Sequence, residues 1–174
     1  MAVLGGLLAT MPAAADYASD YKTCFSFGIP GEQRVAICTR VINSGRLRGH
    51  DLAGAYNWRG EGYRLWEKYD KALADFGRAI EIEPGTVYPY TNRAEVHRVL
   101  GNYDEVIADT TQAIRIDPAL NASYTVRGLA YEKIGAVEKA RTDFNKALDI
   151  PKKGNDAGWA QDVARDHLKG LDAK

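Results

Sequence analysis

Ala79-Ile80-Glu81-Ile82-Glu83-Pro84 and Ala113-Ile114-Arg115-Ile116-Asp117-Pro118 are one phrase written twice at a spacing of 34 residues, and Ala147-Leu148-Asp149-Ile150 begins it a third time at the same spacing. Counting outward in this register aligns Tyr56, Tyr90 and Tyr124, then Arg59, Arg93 and Arg127, then Gly60, Ala94 and Gly128. Further columns hold Ala72, Val106 and Ala140, and Asp75, Asp109 and Asp143. Self-similarity at a fixed period of this size marks a stacked-repeat architecture, in which each unit buries its apolar face only against its neighbours.

The columns have a physical logic as pairs of packed helices. Small residues at Gly60, Ala72 and Ala79, and at their partners in the later units, let one helix lie close against the next, with larger side chains keyed around the crossing. Pro84 and Pro118 end the second helices, because proline bars the preceding residue from the helical region and donates no backbone bond. Leu100-Gly101 and Ile134-Gly135 fall between the helices of a pair, where glycine accepts positive φ. The matching turn of the first unit reads Trp66-Glu67-Lys68, without glycine, so a looser turn or a slightly longer first helix is expected there.

With these residues in place, the chain resembles the tetratricopeptide repeat family, whose 34-residue unit is two antiparallel helices. Numbered so that the proline is position 32, the resemblance runs from Ala53 to about Ile150. The family's small residues at positions 8, 20 and 27 and its aromatic at position 24 are met, apart from Val106 at position 20 and Thr110 at position 24 of the middle unit. The resemblance implies an all-α, right-handed superhelix of three full repeats at 53–86, 87–120 and 121–151. A degenerate leading pair is expected over 16–50, where Ala36 to Ile42 repeats the second-helix phrase, and a capping helix over 156–171.

The resemblance also implies a concave face lined by first-helix positions, which places Asn57, Glu61, Arg64, Thr91, Glu95, Arg98, Thr125 and Leu129 in a groove for a protein or peptide partner. The family's clamp for the C-terminal carboxylate of heat-shock chaperones is met only at Asn92, which disfavours a co-chaperone role. Glu61 with Arg64, and Glu95 with Arg98, stand three residues apart and can simply neutralise each other. Arg59 with Asp75, Arg93 with Asp109 and Arg127 with Asp143 recur together and read as ion pairs joining the two helices of each unit, worth about 0–1 kcal/mol if exposed. The alternative is a ligand-binding ladder of three arginines.

Residues 1–15, MAVLGGLLATMPAAA, are uncharged, too short to span a bilayer, and end in the small residues a signal peptidase cuts after. They read as a signal peptide with its basic start missing, the alternative being a buried hydrophobic N-terminus. Export to a bacterial periplasm would favour a disulfide between Cys24 and Cys38; in the alternative cytoplasmic setting they would be two buried thiols.

Composition narrows the function further. The 23 Lys and Arg balance 23 Asp and Glu, and the mixed-sign inner face lacks the basic surface nucleic acid requires. No stable membrane insertion is expected. His50, His97 and His167 are scattered and no nucleophile, phosphate-loop or metal motif occurs, so no catalytic residue, metal or cofactor is expected. The reading is a non-catalytic binding scaffold. Its rival is a homo-oligomer built through exposed Trp58, Trp66 and Trp159.

Overall fold

The computed structural model describes residues 14–151 and 158–172. The expected signal peptide through residue 13, and residues 156–157 of the expected cap, lie outside them. Among the described residues there are nine helices and no strand: α1 (Ala14–Cys24), α2 (Gly31–Asn43), α3 (Gly49–Leu65), α4 (Tyr69–Ile82), α5 (Val87–Leu100), α6 (Tyr103–Ile116), α7 (Asn121–Lys133), α8 (Val137–Asp149) and α9 (Gly158–Asp172). Each helix packs on the next, and the first helices α3, α5 and α7 also touch one another, as in a helical solenoid.

The helix ends follow from the punctuation. Glu83 and Asp117, each before a proline, leave the helical region at φ −142° and −131°. Tyr90 and Tyr124 then donate their hydroxyls to the carbonyls of Pro84 and Pro118, at 3.3 and 3.4 Å, pinning each new first helix to the corner before it. Between the helices of a pair, Gly101 and Gly135 stand at φ 77°. The first unit is not looser. Glu67 takes the same left-handed position at φ 56°, and the closing bond from Lys68 N to Tyr63 O (2.9 Å) matches those from Asn102 to His97 and from Ala136 to Tyr131. A non-glycine residue there carries a cost of about 1–2 kcal/mol, accepted because the neighbouring helices dictate the turn. The extra length of α3 lies at its N-terminal end, from Gly49.

The crossings within units are tight. A Cβ on Gly60 would lie 2.7 Å from the ring of Phe76, and one on Gly128 would lie 2.6 Å from the ring of Phe144; both rings are fully buried. The middle unit packs differently: Ala94, Val106 and Thr110 replace glycine, alanine and phenylalanine together, and the Thr110 hydroxyl donates to the Val106 carbonyl at 2.6 Å.

Both ends of the stack are covered. At the N-terminus, α1 and α2 bury Cys24 and Cys38 among Ile37, Val41, Leu47 and Ala55. The two cysteines lie side by side, with Cα atoms 5.1 Å apart. Asp20 accepts a two-pronged bond from Arg40 at 2.6 and 2.7 Å, a link that repeat alignment could not reveal. At the C-terminus, α9 lies against both α7 and α8. Gln161, 5% exposed, donates to the carbonyls of Ala147, Leu148 and Ile150, supplying partners to the open end of α8. Arg141 pairs with Asp172 across the same seam.

Candidate functional site

The repeated arginines occupy the seams between helices. Arg59 meets Asp75 through two bonds of 2.7 Å, Arg93 meets Asp109 at 2.8 and 2.7 Å, and Arg127 meets Asp143 at 2.7 and 2.8 Å. They do not form an open ladder. The carboxylates are 4–6% exposed, so the small value for exposed pairs does not apply: these charges are largely out of water and hold one another there through two-pronged bonds. Each aspartate's hydrogen bonds push its arginine's pKa above the ordinary value, against the opposing effect of burial. Arg59 and Arg127 also donate to Thr39 (3.4 Å) and Thr111 (3.0 Å) on the preceding second helix. Gly77 stands at the corresponding place before Arg93, without a hydroxyl. Tyr56, Tyr90 and Tyr124 lie beneath the guanidiniums at 5.3–5.9 Å, which ties the tyrosine column to the arginine column.

The first helices form a strip. Asn92 donates to Asn57 across adjacent units at 3.0 Å. Arg64 grips Glu61, and Arg98 grips Glu95, through paired bonds of 2.7–2.8 Å. The Glu61 bond raises the pKa of Arg64, and Glu95 of the next unit adds to the effect. Thr91 turns its hydroxyl back to the Tyr88 carbonyl.

Thr125 does not belong to the open strip. It is fully buried and donates to the Ala160 carbonyl at 3.0 Å, because α9 lies over its face of α7. Leu129 is partly buried against the C-terminal core. At the other end, a Cβ on Gly54 would lie 2.9 Å from the Phe25 ring, so the second turn of α3 is covered at this point too. The open part of the groove therefore runs from Asn57 toward α9. There it deepens into a cavity of about 510 Å³, with Thr110 and Val126 among its lining, Trp159 and Val163 contributed by α9, and Tyr88 and Arg98 by α5.

Sequence reasoning had no signal for α9 as a wall of the groove, nor for Arg34. That arginine is 3% exposed, lies 4.6 Å over the Trp58 ring, and has Nε and Nη1 buried without a hydrogen-bond partner. Burial lowers its pKa, and nearby Glu61 opposes the shift. Trp58, expected to be exposed, is instead partly buried under Arg34 and edge-on to Phe27 at 5.1 Å. Trp66 and Trp159 are 40% and 50% exposed. His50 pairs with Glu83 and His167 with Glu132, far apart in the stack, and burial lowers the pKa of His97. Among the described residues, no group of three or more His, Cys, Asp or Glu could hold a metal, and no helix is long and apolar enough to cross a membrane.

A stack of antiparallel helix pairs with this register and this inner strip defines a helical-repeat protein. The tetratricopeptide repeat family model matches residues 53–86 and 122–153, and the chain carries tetratricopeptide repeats. No curated protein matches the sequence. Among solved structures, the second such domain of human RPAP3 in complex with the HSP70 peptide SGPTIEEVD is 27% identical, with a TM-score of 0.60 over 68% of this chain and 93% of that one. The second such domain of Spaghetti (RPAP3) bound to the HSP90 peptide SRMEEVD is 28% identical, with a TM-score of 0.55 over 57% and 92%. The crystal structure of MamA protein, 24% identical with a TM-score of 0.66 over 74% and 68%, shares the fold.

Proposed function

We propose that this chain is a non-catalytic protein-binding scaffold that holds a peptide or protein segment along the concave strip from Asn57 to Arg98. The observation carrying this reading is the strip itself: first-helix side chains of successive repeats, open to solvent between two covered ends, on a fold whose solved relatives hold peptides. The ligand class differs from theirs. Those peptides end in an acidic EEVD sequence, whereas Glu61 and Glu95 already engage Arg64 and Arg98, and Asn92 is bonded to Asn57. A segment of mixed polarity suits such a surface better than an acidic tail.

Peptides selected on the immobilised chain should bind Arg64→Ala with Arg98→Ala at least about tenfold more weakly, roughly 1.4 kcal/mol. Stability should fall by no more than about 1 kcal/mol per arginine, since water can replace the lost bonds of such partly exposed pairs. Unchanged binding to that variant, with loss on altering the outer second-helix surface at Arg78 and Glu81, would transfer the interface to the convex side.

The compartment we propose is the bacterial cell envelope. Support comes from the apolar, small-residue N-terminal stretch and from the placement of Cys24 against Cys38, whose Cα separation lies within the ordinary disulfide range. Mass spectrometry of the unreduced protein from its native cell should find the chain two mass units (about 2 Da) lighter than the dithiol. Two alkylatable thiols in that preparation would remove the main ground for export.

A further inference from the structure

We propose that the cavity between α5, α7 and α9 is an anchor pocket for one bulky apolar side chain, aromatic by preference, of the segment bound along the strip. The proposal rests on the groove reading above and adds what the groove selects.

The first observation is the middle repeat's departure from its sisters. Units one and three fill position 24 with Phe76 and Phe144, both fully buried. In unit two that position is Thr110, whose hydroxyl is turned back to its own helix at Val106, and Thr110 lines the cavity. Val106 and Ala94 restore bulk at the helix crossing, yet neither is among the residues lining the cavity. Thr110 is itself 1% exposed, so it forms the floor of the cavity with a small side chain, where the sister units carry a phenyl ring in the core.

The second observation is the wall. Trp159 and Val163 extend from α9 over α7 and meet Val126 and Leu129 to make an apolar chamber, with Tyr88 and Trp159 exposed at 65% and 50%. Its volume of about 510 Å³ lies in the range of sites that enclose small ligands or ligand groups. Aromatic rings are the side chains that gain most from such enclosure. The chamber opens at Thr91, Glu95 and Arg98 onto the polar strip, so an occupant must be apolar where it anchors and polar where it continues. An extended peptide with one large apolar residue meets both demands.

The test uses ten-residue synthetic peptide pools of Gly, Ser, Lys and Glu with one fixed central residue: Phe, Leu, Ala or Glu. Binding to the full chain is followed by the Trp159 indole N–H and the Val126, Leu129 and Val163 methyl resonances. The Phe pool should shift those signals and bind at least about tenfold tighter than the Ala pool, with Leu between them and Glu at or below Ala. Ala122→Trp, a cavity-lining change made on α7 away from the α5–α6 crossing, should abolish the Phe preference, and Val163→Trp, made on α9, should do the same. Equal binding of the Phe and Ala pools, with shifts confined to Asn57, Asn92 and Arg64, overturns the pocket while leaving the groove reading intact. Shifts only on the second-helix surface, or none from the Phe pool at millimolar concentration, overturn the pocket as well, and the former overturns the groove with it.

Discussion

Gly128→Leu should lower stability by about 3 kcal/mol or more, read as a fall in the urea midpoint, while Gly85→Leu should leave the midpoint near that of the parent. At position 128 the first carbon of any side chain would sit 2.6 Å from a ring carbon of Phe144, far inside van der Waals contact. The ring is fully buried and braced by Tyr124, Ala140 and Ala147, so it has nowhere to move. Overpacking commonly costs about 1–3 kcal/mol and sometimes more, which outweighs the gain of up to about 1 kcal/mol from replacing a mid-helix glycine. Gly85 has nothing within 4 Å of its would-be Cβ. The middle unit suggests a sharper form of the experiment. Its Ala94 coexists with Thr110, so Gly128→Ala should cost less in a Phe144→Thr background than in the parent, a favourable coupling in a double-mutant cycle. Additive effects would mean that the glycine and the ring do not oppose each other across the crossing.

Arg127→Ala should cost about 3–5 kcal/mol, the usual penalty for leaving one member of a buried ion pair behind. Asp143 is 4% exposed and would lose both of its short bonds to Arg127, Thr111 would lose a donor, and Tyr124 would lose the guanidinium above its ring. Arg98→Ala, which breaks an equally short two-pronged pair with Glu95, should cost within about 1 kcal/mol, because its partners are 42% and 35% exposed and water replaces the lost bonds. The contrast can be measured by urea unfolding of the two variants. Similar losses would indicate that burial of the aspartate is not what makes the interhelical pair matter. Replacing Arg127 and Asp143 together with apolar residues should recover much of the loss, since no isolated charge then remains.

These two results probe the features most plainly written in the chain. The 34-residue period, the small residues at the crossings and the two prolines together determine the helix pairs, because each is a local requirement repeated in register. A helix cannot continue through Pro84, and α3 cannot approach Phe76 unless position 60 lacks a side chain. Where the structure departs from the sequence expectation, the cause is tertiary packing that no periodicity encodes. Glu67 lacks the glycine of its sister turns, yet tertiary packing holds it in the same conformation. Thr125 has the register of a groove residue, but whether it meets water or the Ala160 carbonyl depends on where α9 lies, and no periodicity encodes that. The depth of Asp75, Asp109 and Asp143 was likewise hidden, since a charged residue reads the same in sequence whether a neighbouring helix covers it or not. The amino-acid sequence by itself determined the repeat, its helices and the pairing of arginine with aspartate. Only the tertiary structure decided which part of the groove stays open, because exposure depends on how the terminal helices pack across the ends of the stack.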